Sequence, residues 1–223
     1  MIPVAENLWQ LPFALKVLGA NIQRHVTVIR LRSGAVVVHS TAPFSPADVA
    51  AISALGRVGW VTDVMLRHET FAKDGRAAFP AATFLGPNGF SKEAGFPVEP
   101  LLPAPGEWGD ELQVVRLDGL PSMEEHAVFH AGSRTLIVAD LLFNPDPAES
   151  WWTRLLVSLI AGRKNGPGVS RAVRAAVKDK AAFKRSLETI RAWDFDRIIV
   201  GHGAMVPTGG KAQFDEAIRQ AGY

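Results

Sequence analysis

The sequence predicts a mixed α+β fold, a reading that rests on three observations. Short apolar strands alternate with helical stretches along most of the chain, a Ser-Pro helix start separates two of the strands, and polar residues recur where apolar runs end. With 223 residues, 48% hydrophobic and 21% charged, the chain can bury a sizeable core, and disorder is excluded as its dominant state.

The elements follow in order. Residues 25–31 (HVTVIRL) and 35–39 (AVVVH) read as strands joined through the turn Ser33-Gly34, a hairpin. Ser45 is the N-cap and Pro46 the first position of a helix that runs to Gly56. Residues 58–66 (VGWVTDVML) read as a mostly apolar strand with Arg67-His68-Glu69-Thr70 beyond it. A short helix and a weak strand at 82–85 come next, then Gly86-Pro87-Asn88-Gly89, read as turn chemistry with no helix after it, and a Pro/Gly-rich loop at 97–109. Strands are expected at 112–117, 126–130 and 135–139, the last two joined by a tight turn and followed by Asp140. Apolar residues at 151, 152, 155, 156, 159 and 160 mark one helix, 169–193 a second, residues 197–200 (RIIV) a final strand, and a closing helix starts near Lys211. The whole is expected as one domain, residues 1–223, with a helical insertion at about 146–192.

Composition narrows the chemistry. With 0 cysteines there are no disulfides, thiolate metal sites or Cys nucleophile, so a metal ion must be held by His, Asp or Glu. Residues 1–150 carry 11 Lys and Arg against 16 Asp and Glu, a net −5, whereas residues 151–223 carry 13 against 6, a net +7. The basic excess reads as solvated helix surface, since no nucleic-acid motif accompanies it. Glu6, Pro3 and Pro12 interrupt the opening residues where a secretory signal would need a basic start and an apolar run, so a cytoplasmic location is expected. The stretch 151–162, interrupted by Arg154, is far shorter than the roughly 20 apolar residues of a membrane span.

His68, Asp140 and His202 each follow an apolar strand, and His39 ends another. Two imidazoles and a carboxylate suffice for one divalent transition-metal ion, and Gly201 and Gly203 let the backbone pass close to it. No G-x-S-x-G elbow is present, so Ser40 beside His39 does not read as a nucleophile.

The order of VIRLRSGAVVVHS, VTDVMLRH, HAVFHAGSRTLIVADLLF and IIVGHGAMV resembles the metallo-β-lactamase-fold superfamily over most of residues 1–220, most specifically in TLIVADLLFN. Within it the chain resembles a divergent branch of unassigned function, by HS after the second strand, the WW helix and WDFDRIIVGHG. The resemblance implies a four-layer αββα sandwich with a metal site on one edge of its two sheets, commonly holding zinc and a hydrolytic water. Its His-x-His-x-Asp-His motif would start at His68, where the chain reads His68-Glu69-Thr70-Phe71-Ala72-Lys73, so only the first His matches. No His falls at the next expected position, near Ser122; Asp140 matches the bridging carboxylate, His202 the last His, and His39 replaces the Asp after the second strand. A two-metal site is not expected.

Three readings stay open on these residues. One zinc, iron or manganese ion is held by His68, Asp140 and His202, with His39 or Glu69 completing the set and the protein acting as a hydrolase on an unknown small molecule. Alternatively the metal is lost and the pocket binds a ligand or uses His68, Glu69 and His39 for acid–base chemistry. In the third, the fold is a non-catalytic interaction module, which Lys73 at a former ligand position favours because an ammonium repels a cation. The 151–161 helix with Arg163-Lys164 offers a lid, a homodimer surface or an interfacial membrane contact, against the plain alternative of a helix covering a sheet.

Overall fold

The computed structural model describes every residue except Lys164. The described residues mix seven α-helices with four β-sheets, as the sequence predicts. The chain divides into two compact units, residues 1–13 with 25–111 and residues 14–24 with 112–223.

The first unit is built on a seven-stranded sheet in the order Ile2–Ala5, Leu8–Phe13, Arg24–Arg30, Val36–His39, Val58–Thr62, Thr83–Gly86, Glu99–Pro100. Arg24–Arg30 and Val36–His39 pair antiparallel as the expected hairpin, and every pairing from Val36–His39 onward is parallel. Parallel strands need crossovers, supplied by the helices Pro46–Ser53, Ala72–Ala78 and Phe90–Ala94. The carboxyl ends of these strands therefore share one edge, with His39 opposite Thr62. Val36, Val37 and Val38 are all buried, which is why that strand reads as an unbroken apolar run. Its core also takes Val26, Val28, Ile52, Val61 and Phe84.

The first crossover helix starts at a full capping box, the Ser45 hydroxyl taking the Asp48 N–H and the Asp48 carboxylate taking the Ser45 N–H. It ends at Ser53, a turn before Gly56. The strand expected over 58–66 stops at Thr62 because Asp63 is a buried carboxylate, bonded by the Thr41 hydroxyl at 2.7 Å. The Gly86-Pro87-Asn88-Gly89 segment does lead into a helix, Phe90–Ala94, contrary to its reading as a turn alone; Gly89, at φ +84°, supplies the left-handed step.

The second unit carries a four-stranded sheet, Leu112–Arg116, His126–His130, Thr135–Ile137 and Arg197–Ile199, the last two parallel. Beyond its end the same two chain segments pair again, Leu142–Asn144 parallel to His202–Gly203, with Gly168–Val169 on the other side. The structure thus makes His202 part of a further short strand beyond the one expected over 197–200. The long helical stretch expected over 169–193 is two helices, Arg171–Ala176 and Lys180–Ala192, because Asp179 accepts the Ala181 and Ala182 N–H groups and caps the second. Trp151–Ala161 matches its expected bounds and rests Val157 and Ala161 on Phe143, Ala20 and Ile22. The closing helix is Gly210–Gln220.

Candidate metal centre

Asp140 and His202 sit where the two parallel segments of the second unit step from one sheet to the next. The Val138 N–H donates to the Ile199 carbonyl and the Gly201 N–H to the Ala139 carbonyl, both near 3 Å. That brings residues 139–140 alongside 201–202. A Cβ on Gly201 would lie 2.9 Å from the Ala139 carbonyl oxygen, and one on Gly203 only 1.9 Å from that of Asn144. Both glycines are required by close approach.

The backbone on either side of Asp140 is further fixed by the Glu125 carboxyl. Glu125 is fully buried, and its Oε1 accepts the Ala139 N–H at 2.9 Å and the Leu141 N–H at 3.0 Å. Its other oxygen is buried with no hydrogen-bond partner. Burial, then the negative charge of Asp140, pushes the Glu125 carboxyl up to about 8.

His202 is oriented from both sides of its ring. Its face stacks on Phe143, ring centres 4.9 Å apart, and its Nδ1 lies 2.5 Å from the Gln23 carbonyl oxygen. A carbonyl only accepts, so Nδ1 carries the hydrogen. Gln23 holds this carbonyl in place with a left-handed backbone, φ +58°, and an amide that donates to Glu149 at 2.6 Å. The remaining ring nitrogen, Nε2, faces Asp140 Oδ1 at 3.3 Å.

His68 immediately precedes the short helical turn Glu69–Phe71, makes no side-chain cap to it, and is buried. Arg67, just before it, is left-handed at φ +70°, its N–H bound by the Glu93 carboxylate at 2.9 Å. Ser40, after His39, is left-handed at φ +75°, its N–H bound by the Thr62 carbonyl at 2.7 Å. Such conformations in non-glycine residues cost roughly 1–3 kcal/mol each and persist where the surroundings enforce them.

One ligand atom from each of His68, Asp140 and His202 lies within 4.8 Å of the others, a three-donor group able to hold a metal ion. His39 and Glu69 fall outside it. His39 is buried at its strand end, and Glu69 Oε2 is buried without a hydrogen-bond partner. Lys73 is exposed, its ammonium about 3.6 Å from where a Cβ on Gly95 would sit. Sequence reasoning missed two supports of the site, the Gln23 carbonyl and the Phe143 ring, neither of which leaves a sequence signal.

Comparison with solved structures places this architecture. The chain superposes on the FIM-1 metallo-β-lactamase of Pseudomonas aeruginosa in its mono-zinc form with a TM-score of 0.65 at 13% identity, over 99% of this chain and 93% of that one. The fold is that of the metallo-β-lactamases. Metallo-β-lactamases from Pontibacter korlensis (TM-score 0.66, 9% identity, 98% and 96% covered) and Erythrobacter litoralis (0.66, 14%, 98% and 95%) agree. No protein-family profile and no curated protein matches the sequence. The fold is therefore shared at identities of 9–14%.

The donor set fits a metal ion. A tetrahedral zinc with bonds of about 2.0–2.2 Å has neighbouring donors roughly 3.3–3.6 Å apart, and Nε2 of His202 stands 3.3 Å from Asp140 Oδ1. With Nδ1 engaged by the Gln23 carbonyl, Nε2 is the ring nitrogen left to face the carboxylate, the side from which a histidine held in this way ligates.

Proposed function

We propose that the protein is a metal-dependent hydrolase with a single divalent ion on His68, Asp140 and His202. The observation that carries this is the His202 ring: the Gln23 carbonyl claims the Nδ1 hydrogen and leaves Nε2 directed at Asp140. Histidines that bind metals are oriented in this way, through the ring nitrogen that does not ligate. The likeness to metallo-β-lactamases, one of them a mono-zinc form, supports the same reading. Lys73 no longer opposes it, because that ammonium is exposed and lies beside Gly95.

When bound, the ion would supply Lewis acidity at a carbonyl or phosphoryl oxygen. The protein's own contributions are orientation and charge. Phe143 and Gln23 fix the His202 ring, Glu125 fixes the backbone on both sides of Asp140, and the buried imidazoles of His68 and His202 keep bulk water from their faces. Glu69, with a buried carboxylate oxygen lacking a partner, is the base next in chain to His68 and is assigned to proton transfer. Substrates of this chemistry are small esters, lactones or phosphoesters.

The test is hydrolysis of a panel of those three classes by untagged protein loaded with zinc, manganese or iron(II). Turnover of one class, lost in Asp140→Ala and lowered in Glu69→Gln without loss of bound metal, is the expected result. Protein that binds one ion and turns over none of the panel points to the other reading, a non-catalytic ligand-binding protein on this fold. A pair neutralised by a proton in place of an ion points the same way.

A further inference from the structure

The helix Trp151–Ala161 has two apolar faces, and its core uses one. Thr153, Val157 and Ala161 are buried, while Trp151, Leu155 and Leu159, one turn apart, are 73%, 43% and 48% exposed. Beside them lies Trp152, whose indole N–H donates to the carbonyl of Leu18, itself 79% exposed at the tip of the hairpin Lys16–Asn21. Five of the eight large hydrophobic residues exposed among the described residues thus gather on one patch. Single exposed apolar residues are ordinary, but a cluster of this kind marks a surface that is covered in use.

Cations ring the patch. A groove of about 560 Å³ is lined by Trp151, Leu155 and Leu159 together with Arg154, Arg163 and Arg171. Arg171 also lines a second groove, of about 510 Å³, with Arg174, Lys180 and Tyr223. Residues 151–178 hold six Lys and Arg and no Asp or Glu. Arg163 acts only weakly on the Glu216 carboxylate, which Arg219 already engages.

We infer that this face docks on an anionic lipid bilayer. Trp and Leu on one side of a helix enter the boundary between headgroups and acyl chains, while flanking arginines meet the phosphates. The depth is superficial, since no described helix is long and apolar enough to cross a membrane. Charge argues against a second copy of the chain: a twofold contact on this patch would bring two sets of these arginines into one interface with no Asp or Glu from residues 151–178 to offset them. The inference does not depend on the metal centre.

The test is flotation of the full chain with vesicles of phosphatidylcholine alone and of phosphatidylcholine mixed with phosphatidylglycerol. Binding to the mixed vesicles alone, weakened by salt, is expected. Removing two charges in Arg154→Gln, Arg171→Gln lowers the partition coefficient roughly thirtyfold. The triple variant Trp151→Ser, Leu155→Ser, Leu159→Ser abolishes binding while circular dichroism shows it still folded, and the single variant Trp151→Ser, at the most exposed position, weakens binding with little change in Tm. Wild-type protein that ignores the mixed vesicles overturns the inference. So does a dimer in light scattering that the triple variant dissociates, which would make a second copy the occupant.

Discussion

One oxygen of Glu125 accepts the N–H groups of both Ala139 and Leu141, at 2.9 and 3.0 Å, so that a single buried carboxyl straddles Asp140. Glu125→Ala leaves two buried donors without partners, at about 1–3 kcal/mol each. The expected outcome is a loss of about 2–6 kcal/mol in chemical denaturation, with reduced metal content. Glu125→Gln keeps an acceptor oxygen in place and restores most of both. Equal damage from the two substitutions would contradict the role given to Glu125.

The same carboxyl sets a pH dependence. Its pKa in the fold, about 8, lies above the ordinary 4.5, chiefly through burial and then through Asp140. The folded state therefore binds its proton more tightly than the unfolded chain. The resulting stability is complete below about pH 4.5 and is lost as pH rises toward about 8. For metal-free protein, the difference in urea midpoint between wild type and Glu125→Gln should shift against the wild type across this window. Parallel midpoints would refute the assignment.

Gly203 has φ +90°, and a Cβ there would lie 1.9 Å from the Asn144 carbonyl oxygen. Because Gly203 follows His202 in the strand paired with Leu142–Asn144, Gly203→Ala is expected to cost more than about 3 kcal/mol. A thermal melt with Tm near the wild-type value would contradict the close approach.

Lys73→Ala should leave metal affinity and stability as they are, because the side chain is exposed and its ammonium lies beside Gly95. Tighter metal binding in the variant would show that the ammonium acts on the site after all.

Much of the fold was legible because it is written in local signals. The hairpin over residues 25–39 follows from a Ser-Gly turn between β-branched runs, and the Trp151–Ala161 helix from apolar spacing. What was lost depended on single polar residues with tertiary partners. Asp63 ends its strand because Thr41 binds it, and Asp179 divides one helical stretch by capping the second half. The short strands Leu142–Asn144 and His202–Gly203 carry no pattern of their own, since each forms only when the other is beside it. In the site, His68, Asp140 and His202 could be picked out as polar ends of apolar strands. The support that orients them, a main-chain carbonyl at Gln23 and a carboxyl at Glu125, is fixed by folding and not by spacing.

The central claim is one metal ion on His68, Asp140 and His202, and calorimetric titration of untagged, chelator-treated protein with zinc tests it most directly. The account expects one site per chain, with binding lost in His202→Ala and in Asp140→Asn and retained in His39→Ala. No binding by the wild type, or a site untouched by His202→Ala, would contradict it.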